Sequence, residues 1–516
     1  MGFTTIDYLV VALYLTGVTV SGLLVSGRQR STSDYFLGGH QIPWWAVLFS
    51  IVATETSTLT FISIPALAYG GNLTFLQITL GYILGRAAVS ILFLPRYYQG
   101  QLSTAYQFLG SRFGAGMRNI TSSTFMVTRL LADGVRLFAS AIPIAIILRL
   151  AGIKASDLNI YFISILMISC VTLIYTFLGG IRAVVWMDVI QMAVYTGGAF
   201  LAAGIILTRL PHGLEGAVSM AQSAQKLEFF HLGFDLSFRN FLAQPYTFFV
   251  ALLGGAVFST ASHGTDQLIV QRLLATKNLR SSQKALIGSG LVVFLQFALF
   301  LLIGVLLYGF YSGLDPSQLG LATTDEIFAK FMVEEMPAGV SGLIVAAILA
   351  AAMSTLSSSI NSLASSTTMD IYKPYWGRNN RPEKDLKISR MISIFWGIII
   401  TCSAFLFAFL QLRSHGERPA VVELGLGIAS YTYGGLLGAF MLGILSKKLR
   451  HMDAAVGFFS GVTALLFLVK GPVQDILPGE GLTIAWPLYI VVGGLIVIAM
   501  GHLSYLIRKF PLLLSK

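Results

Sequence analysis

A strip of hydroxyl-bearing residues interrupts an otherwise apolar stretch of the sequence between positions 351 and 362. Four members of the strip follow the spacing i, i+3, i+4, i+7, which puts them on one face of a helix: Ala351, Ser354, Thr355 and Ser358. Hydroxyl and backbone carbonyl oxygens are hard ligands that suit a small cation. A single serine in an apolar helix commonly bonds to its own backbone instead. The strip holds more hydroxyls than such bonding to the backbone explains, so its composition favours an ion site.

Two further apolar segments, 50–60 and 254–264, are rich in small and hydroxyl-bearing residues that weaken a helix. Pro65 follows the first segment, and a Gly254-Gly255 pair opens the second. Interrupted helices at matching positions of two inverted halves are the best sequence indication of a transporter binding site. Close packing of helices through small residues would give the same composition. The local pattern leaves both interpretations open.

Four ionisable residues fall inside apolar segments, where each costs about 2.5 kcal/mol or more unless it is paired or hydrated. These four, which we single out from a larger set that includes Arg129, are Glu55, Asp133, Arg136 and Asp188. Asp133 and Arg136 stand three residues apart, so they form either an internal ion pair of one helix or part of a pocket. Asp188 either lies at a helix start, where the helix dipole favours a carboxylate, or belongs to a functional site. We expect Glu55 to serve in a pocket or in coupling.

The elements that position these residues must lie in lipid. Of the 516 residues, 55% are hydrophobic and 11% charged, whereas soluble domains carry about 25% charged residues. The mean hydropathy is +0.77. A helix crosses a bilayer with about 20 apolar residues. We therefore predict an all-α integral membrane protein of about thirteen transmembrane helices, at 5–26, 43–69, 73–95, 119–150, 159–178, 184–208, 245–263, 285–312, 338–367, 388–412, 420–446, 452–470 and 484–507.

Charged residues are distributed unevenly between the loops that join these spans. Every second loop is basic, as around Arg182 and Arg272, whereas acidic residues such as Asp315 and Glu335 fall in the others. By the positive-inside rule, this alternation predicts an outside N-terminus and a cytoplasmic C-terminus in a plasma (inner) membrane. The lipid bilayer therefore explains the net charge of +11, and we predict no nucleic-acid partner.

The cysteines do not indicate an enzyme, and no nucleotide-binding motif indicates one either. Cys170 and Cys402 both lie in apolar spans, where we expect them to be small buried apolar side chains rather than a disulfide. The sequence contains no Walker phosphate loop and no dinucleotide-binding fingerprint. The seven histidines are scattered. We therefore predict no enzymatic activity and no organic cofactor, and expect the energy to come from an ion gradient.

Five strings, taken together and in order, resemble the sodium:solute symporter family. They are SDYFLGG at 33–39, TAYQFLGSRFG at 104–114, GGIRAVVWMDVIQ at 179–191, TDQ with QR between 265 and 272, and MDIYK at 369–373. The resemblance covers about residues 30–450 and implies a LeuT-type core of five-plus-five inverted repeats. The implied organisation is a first transmembrane helix and cytoplasmic loop at 1–42, a first repeat at 43–209, an extracellular loop at 210–244, a second repeat at 245–446 and C-terminal helices at 447–516.

The resemblance also implies sodium sites on the residues that match the family's motifs. The principal site joins backbone carbonyls at a helix break to the hydroxyl strip, and corresponds to Ala53, Thr56, Ala351, Ser354 and Thr355. A second site in some members uses the acid of the GGIRAVVWMD string, and corresponds to Asp188, Ser354, Ser357 and Ser358. One or two sodium ions are expected.

The resemblance places the solute beside the broken helix, at Ser57, Thr60, Gln77, Phe258 and Ser259. Sialate carriers of the family hold a carboxylate with an arginine on the fourth span, and neither Asp133 nor Arg136 aligns cleanly with it. We therefore predict a sodium-coupled secondary active symporter that imports a small organic solute (a sugar, carboxylate or amino acid) by alternating access. It is expected to work as a monomer. A non-transporting solute sensor or a channel-like protein on the same scaffold is the alternative.

Overall fold

The computed structural model of the chain describes residues 4–150, 155–321, 323–413, 421–469 and 483–514. These residues are almost entirely helical, and they contain one isolated β-bridge, between Ile42 and Thr276, but no strand. The all-α class predicted from the sequence is therefore confirmed. Positions 420 and 470, at the edges of two predicted spans, lie outside the described residues.

The chain up to residue 243 forms eleven helices, of which five span at most a few turns. They are α1 (Thr5–Val25), α2 (Thr32–Leu37), α3 (Trp44–Glu55), α4 (Thr58–Gly70), α5 (Leu76–Leu92), α6 (Leu94–Gln99), α7 (Tyr106–Phe113), α8 (Ala115–Leu150), α9 (Asp157–Thr208), α10 (Gly213–Ser223) and α11 (Phe238–Ala243).

The remainder forms ten more helices. They are α12 (Phe248–Gly264), α13 (Gln267–Leu274), α14 (Leu279–Phe310), α15 (Glu326–Glu334), α16 (Val340–Ser366), α17 (Lys373–Tyr375), α18 (Pro382–Arg413), α19 (Val421–Leu445), α20 (His451–Leu468) and α21 (Tyr489–Leu514). A π-helical turn, Thr367–Tyr372, continues α16 towards α17. A short 3-10 turn, Trp486–Leu488, leads into α21.

Nine helices among the described residues are long and apolar enough to cross a membrane, and the bent pair α3 and α4 makes a tenth span. The count of about thirteen remains a prediction, because it also requires α8 and α19 to cross and α9 to cross twice. α9 is kinked at Gly180, where φ is 55°. A side chain there would collide with the carbonyl of Tyr35, so the kink and this close approach both require glycine.

The helix break predicted in segment 50–60 is present. α3 ends at Glu55, and α4 leaves at an angle of 62°. Thr56 and Ser57 have extended backbones, with ψ of 98° and 171°. The Ser57 hydroxyl accepts a hydrogen bond from the backbone N–H of Thr60 at 3.4 Å, which caps α4. The break leaves backbone carbonyls of the last turn of α3 without helical partners.

The second polar segment behaves differently, and of the two interpretations left open for it the structure shows close packing rather than a break. α12 runs without interruption from Phe248 to Gly264. A Cβ at Gly254 would collide with Pro487, and a Cβ at Gly255 would collide with the carbonyl of Ile78. Its small residues therefore serve the close packing of helices, which is the alternative explanation of the same composition.

α16 occupies the centre of the bundle. Every residue from 346 to 366 is buried, and the helix packs against α1, α3, α4, α8, α9 and α18. The two cysteines lie on the outside instead: Cys170 on α9 and Cys402 on α18 are both exposed. The expectation that they are buried was wrong, since a thiol is apolar enough to face hydrocarbon as readily as a protein core.

Candidate functional site

The break between α3 and α4 lies against the hydroxyl strip of α16. Before the break, the Thr54 hydroxyl is 3.2 Å from the Ser358 hydroxyl. After it, the Thr58 hydroxyl donates to the carbonyl of Ile348 at 3.3 Å. These contacts bracket the break and hold it beside α16. The five residues expected at the first sodium site are all buried in this region: Ala53, Thr56, Ala351, Ser354 and Thr355.

The hydroxyls at this break already have protein partners. Thr355 donates to the carbonyl of Ala351 at 3.2 Å. Thr56 donates to the carbonyl of Val52 at 2.9 Å and accepts from the amide of Gln296 at 2.6 Å. A hydroxyl oxygen has two lone pairs, and the hydrogen bonds described above leave at least one of them on each threonine. The oxygen of Thr56 or Thr355 can therefore still coordinate a cation.

Asp188 lies in the same part of the bundle, fully buried on α9. Its Oδ1 accepts a hydrogen bond from the Ser354 hydroxyl at 2.6 Å, and its Oδ2 accepts one from Ser50 at 2.5 Å. Ser354, which is expected at both sodium sites, therefore contacts the carboxylate of the second. Ser357 and Ser358 donate back to the carbonyl of Ser354 at 3.1 and 2.6 Å. Of the four residues expected at the second site, Ser354 contacts Asp188 directly and Ser358 does so through Arg272, whereas Ser357 bonds to its own helix.

Arg272, on α13, is the residue at this site that sequence reasoning missed. Its Nη2 lies 3.3 Å from Oδ2 of Asp188 and also bonds to the Ser358 hydroxyl. Its Nε donates to Ser50 at 2.9 Å. The interpretation of Arg272 as a basic loop residue was wrong, because its side chain is fully buried. Burying the charge of an arginine costs much free energy unless a carboxylate neutralises it, and Asp188 supplies that carboxylate.

The chemical character of this pocket follows from those contacts. Asp188 and the hydroxyls of Ser50 and Ser358 surround one cationic group, the guanidinium of Arg272, while Ser354 bonds to the far oxygen of the same carboxylate. All of these ligand atoms are hard oxygens, which also suit a sodium ion. No cluster of histidine, cysteine and carboxylate side chains that could hold a transition metal occurs among the described residues.

The residues expected to bind solute divide into two groups. Phe258 and Ser259 lie together on α12: the Phe258 ring stacks on Tyr82 at 5.9 Å, and the Ser259 hydroxyl donates to the Tyr82 carbonyl at 3.1 Å. Ser57 and Thr60 form the cap of α4. Gln77 belongs to neither group by its own contacts: its amide donates to the backbone carbonyl of Tyr246 at 2.8 Å.

Glu55, the last residue of α3, forms a second buried ion pair. Nη2 of Arg86 on α5 lies 2.6 Å from both of its carboxylate oxygens. Nε2 of His263 on α12 lies 2.6 Å from its Oε1. Arg86 and His263 were also missed by sequence reasoning. Arg86 stands in the middle of a predicted span, and the cost of an unpaired arginine there is the signal that could have found it.

Asp133 and Arg136 form the intrahelical ion pair that was one of their two expected roles. Oδ1 of Asp133 lies 3.6 Å from Nη1 of Arg136 and 3.6 Å from Nη1 of Arg129. Arg129 in turn binds Asp266, which also accepts a hydrogen bond from Tyr433 at 2.6 Å. These contacts join α8 to the start of α13 and to α19.

A cavity of about 300 Å³ opens beyond the end of α4. Asn72, Thr74 and Tyr246 line it, and Asp325 lies at its edge. Burial raises the pKa of the Asp325 carboxyl, against the opposing effect of a hydrogen bond from Ser63. Because Tyr246 also binds Gln77, the cavity leads towards the α5 and α12 side of the break.

Comparison with known proteins places this geometry in context. The chain is 30% identical to the sodium/sialic acid symporter NanT of Aliivibrio fischeri over 97% of its own length and 93% of that protein. It is 30% identical to the sodium/sialic acid symporter SiaT of Proteus mirabilis, covering 90% and 89% of the two chains. It is 29% identical to the human sodium/iodide cotransporter, covering 90% and 70%.

A solved structure and a family model indicate the same family as these relatives. A Na⁺-coupled sialic acid symporter, solved in a substrate-bound outward-open state, superimposes with a TM-score of 0.83 at 29% identity over 98% of both chains. The model of the sodium:solute symporter family matches residues 35–461. This is a helical membrane protein of a non-enzymatic transporter family, with sodium as the coupling ion. The chain belongs to the sodium:solute symporter family.

Proposed function

We propose that this protein imports a small organic solute together with sodium by alternating access, with sodium bound where the α3–α4 break meets α16. The observation that carries the proposal is the break itself, bracketed by the Thr54–Ser358 and Thr58–Ile348 contacts. It brings backbone carbonyls of a broken helix to a buried face of hydroxyls. Irregular backbone at membrane depth is tolerated only where it is enclosed by protein or lines a site.

We propose two sodium sites. The first uses the carbonyls of Ala53, Thr56 and Ala351 with the hydroxyls of Ser354 and Thr355. The second uses Asp188 with Ser354, Ser357 and Ser358, and it fills when Arg272 withdraws from the carboxylate. Supporting this exchange, Arg272 lies 3.3 Å from Asp188 and donates to the hydroxyl of Ser358, so it contacts two of the four residues that would bind the ion.

Two sodium ions would make transport electrogenic. A membrane potential of 100 mV contributes about 2.3 kcal/mol per charge. Two ions therefore contribute about 4.6 kcal/mol, which corresponds to a roughly 10³-fold accumulation of a neutral solute. The protein is proposed to work as a monomer in the plasma membrane, with its N-terminus outside and its C-terminus in the cytoplasm.

The solute is proposed to lie between the cap of α4 and the aromatic face of α12, at Ser57, Thr60, Phe258 and Ser259, with Gln77 on the entry side. Stacking of Phe258 on Tyr82 supports this position, since it offers an apolar wall beside two hydroxyls. The relatives are named for sialic acid and iodide, and others for monocarboxylates and glucose. These names define the first compounds to test.

Uptake into proteoliposomes tests the proposal. The purified protein is reconstituted, and radiolabelled sialic acid, glucose, lactate, proline and iodide are supplied with an inward sodium gradient, an equal potassium gradient or neither. At least one organic solute should accumulate only with sodium, and more strongly with a negative interior. Uptake that persists at zero gradient and zero potential would indicate a channel-like protein. Binding of a solute without any uptake would indicate a sensor.

A further inference from the structure

The cluster formed by Glu55, Arg86 and His263 takes part in neither proposed sodium site. Arg86 and His263 each approach the Glu55 carboxylate to 2.6 Å. The side chain of Arg86 is 0% exposed and that of His263 is 3% exposed, whereas Glu55 is 21% exposed. Glu55 is also the last residue before the α3–α4 break. The cluster therefore joins a partly open carboxylate to two enclosed bases, directly beside the first sodium site.

The imidazole of His263 meets oxygen atoms on both of its sides. Its Nε2 faces Oε1 of Glu55, and its Nδ1 lies 3.1 Å from the carbonyl oxygen of Ser259 and 2.9 Å from the Ser262 hydroxyl. In the neutral ring, Nε2 carries the proton and the Ser262 hydroxyl donates to Nδ1. In the charged ring, Nδ1 also carries a proton and donates to the Ser259 carbonyl. Both protonation states thus find partners without a rearrangement.

The two states differ in net charge. With a neutral imidazole, the charges of Glu55 and Arg86 cancel. Nη1 of Arg86 also donates to Ser289 at 2.7 Å, which fixes the guanidinium beside Glu55. A proton on His263 therefore leaves the cluster with a net charge of +1, next to the carbonyls that are proposed to hold sodium. Two positive charges in a poorly screened interior repel each other strongly.

The other titratable groups on the neighbouring helices keep one charge state near neutral pH or are already paired. Tyr82 on α5, Tyr195 on α9 and Tyr433 on α19 are phenols, which ordinarily stay neutral there. Asp266, just beyond α12, is bound by Arg129 and Tyr433. At the start of α21, Tyr489 stacks on Tyr431. Imidazole is the side chain that ordinarily changes charge between about pH 5 and 8.

We infer that His263 is a proton-binding site whose occupation opposes sodium binding at the first site, so that protons and sodium compete. The inference rests on the proposed first sodium site and goes beyond it, since it adds a second ligand, the proton. By linkage, a proton that weakens sodium binding must itself be released when sodium binds.

Equilibrium binding of radiolabelled sodium to the purified full-length protein tests this without knowledge of the solute. As the pH falls from about 8.5 to about 5.5, the wild-type apparent Kd for sodium should rise by about tenfold. His263→Gln keeps a hydrogen-bond donor for Glu55 but cannot titrate, and its Kd should change by less than about twofold. His231→Gln is the matched control, because His231 pairs with Glu228 in a separate loop contact, and it should keep the wild-type response.

A second measurement follows the released protons. Sodium added to the wild-type protein in weak buffer near pH 6.5 should release more protons than sodium added to His263→Gln, and potassium should release none. A wild-type Kd that is independent of pH, or a His263→Gln protein with the full wild-type response, overturns the inference while leaving sodium binding intact. If wild-type protein binds no sodium at any pH, the proposed function fails instead.

Discussion

Two buried carboxylate–arginine pairs lie on either side of the final turns of α3, and their surroundings differ. The Asp188–Arg272 pair is sealed: both side chains are 0% exposed, and hydroxyls on α3 and α16 fill the remaining contacts. The Glu55–Arg86 pair is open on one side, because the glutamate is 21% exposed while the arginine is fully buried.

The difference indicates two uses for the same ion pair. In the sealed pocket, a departing guanidinium leaves a carboxylate and several hydroxyls with no water, so another cation must replace it. In the open cluster, hydrogen bonds to Glu55 and Ser289 hold Arg86 in place. Protonation of His263 is therefore the change of charge with the smallest free-energy cost. This difference is the reason for proposing cation exchange at Asp188 and charge regulation at the Glu55 cluster.

The largest effect should come from Arg272→Leu. In sodium-free buffer the substitution leaves the Asp188 carboxylate buried without a cation, and should lower the free energy of unfolding by about 3–5 kcal/mol. Sodium should restore a large part of that loss by binding in place of the guanidinium. Thermal unfolding of the purified protein in sodium chloride and in choline chloride measures both.

Arg209→Leu is the control for this experiment, because Arg209 forms an exposed pair with Glu335 at 3.1 Å. It should cost less than about 1 kcal/mol in either salt. If Arg272→Leu were destabilised equally in both salts, the sealed pocket would be structural, and the two pairs would no longer differ in kind.

Glu55→Gln should have an intermediate effect. The glutamine oxygen can still accept a hydrogen bond from Arg86, and the site is partly open, so the expected loss is about 2 kcal/mol. The loss should be at least as large in sodium as in choline, because the uncompensated charge of Arg86 opposes sodium binding at the first site, whereas sodium should rescue Arg272→Leu. A sodium-dependent rescue of Glu55→Gln in the same unfolding assay would contradict the division between the two pairs.

The smallest of these effects is expected for Thr355→Ala, which removes one neutral oxygen from the first sodium site. Sodium activation of uptake should need about tenfold more sodium, since one hydrogen-bond-strength contact to a charge is lost. Ser362→Ala is the matched control, because Ser362 donates to the carbonyl of Ser359 in its own helix. Equal shifts for both variants would mean that the strip on α16 serves packing alone.

Part of this arrangement could be predicted from the sequence. The spacing of Ala351, Ser354 and Thr355 fixes one helix face, and the hydroxyl-rich segment before Pro65 indicated the break at Thr56. Both rest on local periodicity and helix propensity, which short stretches of sequence carry. The family resemblance added Asp188, which does contact Ser354.

The partners of the acids could not be predicted in the same way. In the sequence, Arg272 is one more basic residue between two predicted spans. In the structure, α13 places its side chain against Ser50 of α3 and Ser358 of α16. Arg86 and His263 stand on different helices from Glu55, and no local pattern states which helices become neighbours. The Gly254-Gly255 pair shows the same limit, because small residues favour a break and close packing equally until the neighbour is known.

The Asp188→Asn substitution tests whether Asp188 binds a second sodium ion in place of Arg272. Asparagine keeps an oxygen for the Ser354 hydroxyl but leaves Arg272 without a counter-charge, so thermal unfolding of the variant is measured alongside transport to establish that it still folds. Sodium dependence of uptake and charge moved per solute are measured together in proteoliposomes. We predict a sodium Hill coefficient that falls from near two towards one, with a parallel fall in charge per solute. Unaltered cooperativity and unaltered charge per solute would contradict the claim.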